Sequence, residues 1–265
     1  MARAKESLMN VGLYQSVGGL KAYWEQQHTI AANLSRANIP GNRQSVTAFM
    51  AADAAGGPAS GTPAKVGTAE SNRVVVAPPV TTQTLTDFSQ GQMEPTGDPL
   101  NLAIEGSGLF TIREKNGTVS YTRNGSFRWN TDGRITTEDG AELLGDGKKP
   151  ISVSTTKGLR IDEAGSVFVD DLASGKIALT RFKNPATELT EAGNGRFTKN
   201  EGVKELTEAS PIPDTIRSGY LESSNGNSIT QMVSMIDVMR AYEANQKMLA
   251  AVDDATGRLI KATGV

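Results

Sequence analysis

Few side chains in this sequence could do chemistry. The chain has one histidine, His28, and no cysteine. A histidine-dependent triad therefore has one candidate base, and thiolate nucleophiles and thiolate metal sites are excluded. No G-x-S-x-G nucleophile elbow is present. Gly106-Ser107-Gly108 is glycine-rich but lacks the lysine of a phosphate-binding loop. Asp170-Asp171 and Asp253-Asp254 are acidic pairs without the ligand spacing of a cation loop, and solvated surfaces explain them more simply. Catalysis needs a convergent set of polar groups, and none is legible here. No catalytic residue, cofactor or metal is expected.

Composition narrows the field further. The chain has 265 residues, 37% hydrophobic and 5% aromatic, with a net charge of −2. That length suffices for one or two domains with a modest core. The charge implies no nucleic-acid partner. No apolar run approaches the ~18 residues of a membrane-spanning helix, so no membrane insertion is expected. The polar start, Met1 to Asn10, lacks the apolar core of a cleaved signal peptide.

The elements follow from periodicity. Leu13, Val17, Leu20, Trp24, Gln27, Ala31 and Leu34 recur at heptad spacing, which predicts a helix from Ser7 to Ala37 that stops at Pro40-Gly41. Near the other end, Ile229, Met232, Ile236 and Met239 recur in the same way, and Tyr242, Leu249, Val252 and Leu259 continue the stripe. A helix from Asn227 to Lys261 is predicted, about 50 Å long. Two such helices at opposite ends of one chain suggest that they pair. Two core helices of a globular domain is the plainer alternative.

Between them, residues 51–72 carry Ala, Gly, Pro and Ser and read as a flexible loop. Arg73 to Phe88 reads as extended. Asn116-Gly117, Asn124-Gly125, Asp132-Gly133, Asp139-Gly140 and Asp146-Gly147 then recur every seven or eight residues. Such dipeptides tolerate the positive φ of two-residue hairpin turns, so a meander of short antiparallel strands is predicted. Glu201 to Ile216 reads as a return path to the last helix. The expected fold class is α+β: long terminal helices pairing as a coiled-coil-like layer, with an inserted antiparallel, turn-rich all-β domain. The expected organisation is 1–45 N-terminal helix, 46–98 loop and linker, 99–218 β-rich domain, and 219–265 C-terminal helix.

Several stretches carry a resemblance. Ile30 to Arg43 is similar to the signature I-A-N-N-L-A-N-x-N-T-P-G-F-K, matching at Ile30, Asn33, Leu34, Asn38, Pro40 and Gly41. It departs at Ala32, Arg36, Ile39 and Asn42, the last standing where an aromatic is usual. Leu102 to Phe110 resembles D-V-A-I-x-G-x-G-F-F. Tyr121-Thr122-Arg123-Asn124-Gly125-Ser126-Phe127 resembles Y-T-R-D/N-G-x-F. Gly219 to Asn225, with Leu221, Glu222 and Asn225, resembles G-x-L-E-x-S-N. Arg240-Ala241-Tyr242-Glu243-Ala244-Asn245-Gln246-Lys247 resembles R-A-Y-E-A-N-x-K. These are motifs of the bacterial flagellar rod and hook axial proteins.

The resemblance implies a structural subunit of the basal-body rod. Such subunits polymerise into a helical tube that transmits torque from motor to hook. The implied partners are copies of the chain, other rod and hook axial proteins, and the flagellar type III export apparatus. The implied location is the rod, reached without a cleaved signal peptide. A proximal rod protein is favoured, because the distal type has a longer characteristic segment where residues 51–72 stand; the distal type is the close alternative. The heptad residues of both helices are the expected assembly interface. A secreted, oligomeric β-domain binding module is the competing class, to be distinguished by a closed small oligomer with saturable ligand binding.

Overall fold

A computed structural model describes residues 2–51, 80–153, 155, 158–206 and 214–262. The loop expected at 51–72 lies almost wholly outside them, as does the middle of the return path. The chain divides into two compact units. One comprises Met1–Ala32, Val46–Leu85 and Ile229–Val265, and the other Asn33–Ser45 and Thr86–Ser228.

The first unit holds the two long helices and a two-stranded sheet. Helix α1 spans Ala2–Ser35. Strands β1, Ser45–Ala51, and β2, Val80–Thr86, pair with each other. The Thr47 hydroxyl donates to that of Thr29 at 3.0 Å, which ties β1 to α1.

The second unit is built of short strands. They are β3 Met93–Pro95, β4 Leu102–Glu105, β5 Leu109–Arg113, β6 Val119–Thr122, β7 Phe127–Trp129, β8 Ile135–Thr137 and β9 Glu142–Leu143. They continue as β10 Leu159–Ile161, β11 Ser166–Val169, β12 Leu172–Lys176 and β13 Leu179–Thr180. After the single turn of helix α2, Pro185–Glu188, come β14 Leu189–Gly193, β15 Arg196–Lys199, β16 Thr215–Ser218 and β17 Tyr220–Glu222. Helix α3, Ser228–Ala262, ends the described chain.

An eight-stranded antiparallel sheet runs β14-β15-β6-β5-β9-β8-β7, with β13 also on β5. A second sheet is β10-β11-β12, and β16 pairs with β4 and β17 with β3. Turn chemistry sets these registers. Gly117, Gly133, Gly140 and Gly147 have positive φ, as the Asn-Gly and Asp-Gly spacing requires. Gly125 does not. It is glycine because a Cβ there would overlap the Leu102 carbonyl. Asp170-Asp171, at φ 48° and 63°, is the turn between β11 and β12. Alternation along β11 buries Val167 and Val169 and leaves Phe168 half-buried. Phe110 and Phe127 meet edge-to-face at 5.2 Å in the main core, and Tyr121 meets Phe182 at 4.9 Å in a second one.

The expected coiled-coil-like layer is overturned. Among the described residues the elements are mostly short β-strands, seventeen against three α-helices, and α1 and α3 form no paired coiled-coil layer. The predicted α3 seam stands in solvent: Ile229 is 71% exposed, Met232 53%, Ile236 51% and Met239 45%. The buried position on α3 is Val238, on a different column, flanked by half-buried Met235, Tyr242, Asn245 and Leu249. On α1, Trp24 and Ala31 are exposed, while Ala22, Ile30 and Asn33 are buried. Heptad spacing identifies residues that share a helix face. When a helix has two such faces, spacing does not choose the covered one.

Candidate functional site

The motif residues gather in the second unit around one buried carboxylate. After α1 ends, the Asn33 amide bridges the turn that follows. Its Nδ2–H donates to the Ser45 carbonyl at 2.7 Å, and its Oδ1 accepts from Ser45 N–H at 2.9 Å. This pair of bonds satisfies both backbone polar groups of Ser45 and ties the end of α1 to the first residue of β1. Gly41, at φ 66°, lies so close to Arg123 that a Cβ would overlap that residue's backbone carbonyl. Its N–H donates to the Glu222 carbonyl at 2.6 Å.

Glu222 is fully buried. One carboxylate oxygen accepts from Arg43 Nη2 at 2.7 Å and from Gly91 N–H at 2.7 Å; the other accepts from Arg123 Nη1 at 3.3 Å. Arg123 also donates to the carbonyls of Ile104 and Gly106. Burial pushes the Arg123 guanidinium down to about 10, and Arg43 pushes the same way, against the opposing pull of Glu222 and Asp214. A buried ion group of this kind is costly to desolvate and is held only by excellent geometry. It specifies one arrangement of three distant segments, the loop after α1, the β6–β7 turn and β17.

Asn225 completes the clasp. Its Oδ1 accepts from Gln44 N–H at 2.8 Å, and its Nδ2 donates to the carbonyls of Asp87 at 2.9 Å and Ser89 at 3.1 Å. Asn42 is buried beside it at 2% exposure, a small polar side chain where the motif carries an aromatic. Asn38 and Pro40 line a polar groove of about 500 Å³ shared with Thr122, Asn124 and Arg196. Thr122 Oγ1 donates to the Gly195 carbonyl at 2.9 Å. Phe127 belongs to the main core, Tyr121 to the second, and Leu221 pairs with Glu94 across β17 and β3.

The last motif lies on α3, in the first unit. On α3, Arg240 and Glu243 are exposed, Tyr242 is half-buried, and Asn245 donates to the Ala241 carbonyl at 2.9 Å. Of the other predicted interface residues, Leu20 and Leu34 are half-buried and Val252 is 36% exposed. The side chains of Leu13, Val17 and Leu259 lie outside the description. Sequence reasoning missed Arg43, which stands at the lysine of the first motif, and Gly91, which has no motif around it.

His28 is exposed on α1 with its ring 4.6 Å from that of Trp24. Among the described residues no group of three or more His, Asp or Glu side chains is placed to hold a metal. The described helices include none long and apolar enough to cross a membrane. The arrangement sets two buried guanidiniums against one carboxylate and leaves Arg43 Nε and Nη1 without a hydrogen-bond partner; it positions backbone.

The family model "Flagellar hook protein FlgE/F/G D1 domain" matches residues 103–169. "Flagellar basal body rod FlgEFG protein C-terminal" matches residues 217–262. The flagellar basal-body rod protein FlgG of Borreliella burgdorferi is 31% identical over 259 residues, which is 92% of this chain and 96% of the relative. FlgF of Escherichia coli is 29% identical over 261 residues, with 94% and 97% covered.

Proposed function

The chain belongs to the flagellar basal-body rod proteins, a structural subunit of the basal body, and from that premise we propose that it polymerises through the outward apolar face of α3. The observation that carries this reading is the exposure of Ile229, Met232, Ile236 and Met239 along one side of the helix. Contiguous exposed apolar surface of this kind suits a protein interface. Roughly half of each side chain is still open, so covering it contributes on the order of 1 kcal/mol per residue. The partners are further copies of the chain and other rod and hook axial proteins. Contacts of one face with a different face of the next copy do not close on themselves, so they build a helical tube. Such a tube transmits torque from motor to hook, and no catalysis is needed.

The exposed residues of α1, Trp24 and Ala31, are assigned to the same interface, together with Leu13, Val17, Leu20, Leu34, Val252 and Leu259, whereas Tyr242 and Leu249 of the expected seam lie half-buried on the Val238 side of α3. Export runs through the flagellar type III apparatus. A proximal position in the rod rests on the Ala/Gly-rich sequence of residues 51–72. Relatives named FlgG and FlgF align at similar identity, so their names do not decide the position.

The test is a strain lacking the gene, complemented with the native chain or with a chain ending before Ser234. The native chain restores rods that carry it, seen by electron microscopy of isolated basal bodies, and the truncated chain does not. Normal swimming with the truncated chain overturns the proposal.

A further inference from the structure

Gly106-Ser107-Gly108 lies between β4 and β5, and its two glycines have a specific cause. The carboxylate of Asp214 sits in it. A Cβ on Gly106, which has φ 130°, would overlap Asp214 Oδ1, and one on Gly108 would overlap Oδ2. Ser107 N–H donates to Oδ1 at 2.9 Å. Arg181 Nε donates to Oδ2 at 2.5 Å. The Asp214 side chain is 5% exposed and that of Arg181 15%. Arg123 braces the turn from behind, through the Gly106 carbonyl.

The backbone of these parts is also held by bonds outside the Asp214 carboxylate. Ser107 is held by the strands on either side, since β4 pairs with β16 and β5 with β6, β9 and β13. Arg181 follows β13 directly, and its carbonyl accepts from Leu206 N–H at 3.0 Å. A backbone donor flanked by glycines, with a cation facing it, is an anion-binding concavity. The lysine of a phosphate loop is missing from the turn itself; the positive charge comes instead from a residue far along the chain.

We propose that Gly106-Ser107-Gly108 and Arg181 form a preformed receptor for small monocarboxylates, which the chain fills with its own Asp214. The bond pattern is that of an intramolecular ligand: two oxygens, one backbone donor and one guanidinium. Removing the side chain opens a site the size of formate. Arg181 then holds both limits of the return segment, Leu206 through its backbone and Asp214 through its guanidinium, so the same receptor fixes where β16 begins.

The experiment is chemical rescue in the full chain. Asp214→Ala is melted in sodium formate and in sodium chloride at equal ionic strength. Formate is expected to raise Tm with the logarithm of its concentration, by roughly 3–6 °C over chloride at about ten times its Kd. Native chain and Asp214→Asn, whose amide still fills the site, should show no formate-specific shift. Asp214→Ala,Arg181→Ala should lose the response. If Asp214→Ala is unfolded in chloride, formate should restore its β-sheet circular dichroism. Equal behaviour in the two salts overturns the proposal, as does an undiminished formate response after Arg181 is removed.

Discussion

Glu222 and Arg43 are 179 positions apart in the chain and 2.7 Å apart in space, both fully buried. Their bond joins β17 to the loop that follows α1. Replacing Glu222 by Gln leaves two guanidinium groups, of Arg43 and Arg123, without their counter-charge in a site closed to water. Removing one partner of a buried pair typically costs about 3–5 kcal/mol. Urea denaturation of Glu222→Gln should show a loss of that size; a loss under about 1 kcal/mol would mean that the ion group is dispensable.

Glycine positions separate into required and idle. Gly41→Ala forces a side chain into φ 66° and against the Arg123 carbonyl, so it should destabilise by about 2 kcal/mol or more. Gly18 sits in α1 with open space around it. Gly18→Ala should stabilise by roughly 0.5–1 kcal/mol through helix propensity. Paired thermal melts of the two variants decide whether the sign differs as stated.

Two residues on α3 should separate folding from assembly. Ile236 is 51% exposed and Val238 is 5% exposed. Ile236→Asp should leave monomer stability within about 0.5 kcal/mol and abolish incorporation into rods. Val238→Asp should destabilise the monomer itself, because it buries an unpaired charge. Sedimentation and circular dichroism on both variants check this. Unimpaired polymerisation of Ile236→Asp would show that this face stays open in the rod.

Glu205 makes stability depend on pH at both extremes. Burial works against its charge, but bonds from Lys148, Tyr121 and Lys199 outweigh that and hold its carboxyl below the ordinary glutamate value. Its contribution is therefore complete above the unfolded value of about 4.3 and is lost as pH falls through the lower folded value. Burial, then the bond to Glu205, raises the Tyr121 phenol. That contribution is complete below the unfolded value of about 10 and is lost as pH rises through the higher folded value. Glu205→Gln should flatten the acid limb of a Tm-versus-pH curve, while a curve unchanged at both ends would remove Glu205 from the account.

Part of this was legible in the sequence. The glycine-bearing turns announced four of the β hairpin bends through Gly117, Gly133, Gly140 and Gly147, because positive φ is a local demand that a local dipeptide meets. Asp170-Asp171 adopts the same geometry without glycine, so it looked like an acidic pair. The two apolar stripes announced helices, but α3 carries apolar residues on two sides, Ile229, Met232, Ile236 and Met239 on the open one and Met235, Val238, Tyr242 and Leu249 on the covered one, and spacing does not choose between them. The clasp was legible only as motif letters. Nothing local to Glu222 indicates Arg43, because an ion pair between distant residues leaves no periodicity. The Asp214 receptor was legible as two glycines and nothing more; their ligand comes from more than a hundred positions away.

Asn225 and Gln44 meet where the strand-rich unit begins and ends, and this has a mechanical meaning. A pull applied to the chain at residue 45 and at residue 225 is met first by the amide of Asn225 and the Arg43–Glu222 pair. Of the hairpins strung between Thr86 and Ser218, the β6–β7 turn shares that load through Arg123. The short crossing at the clasp takes the strain of a turning shaft.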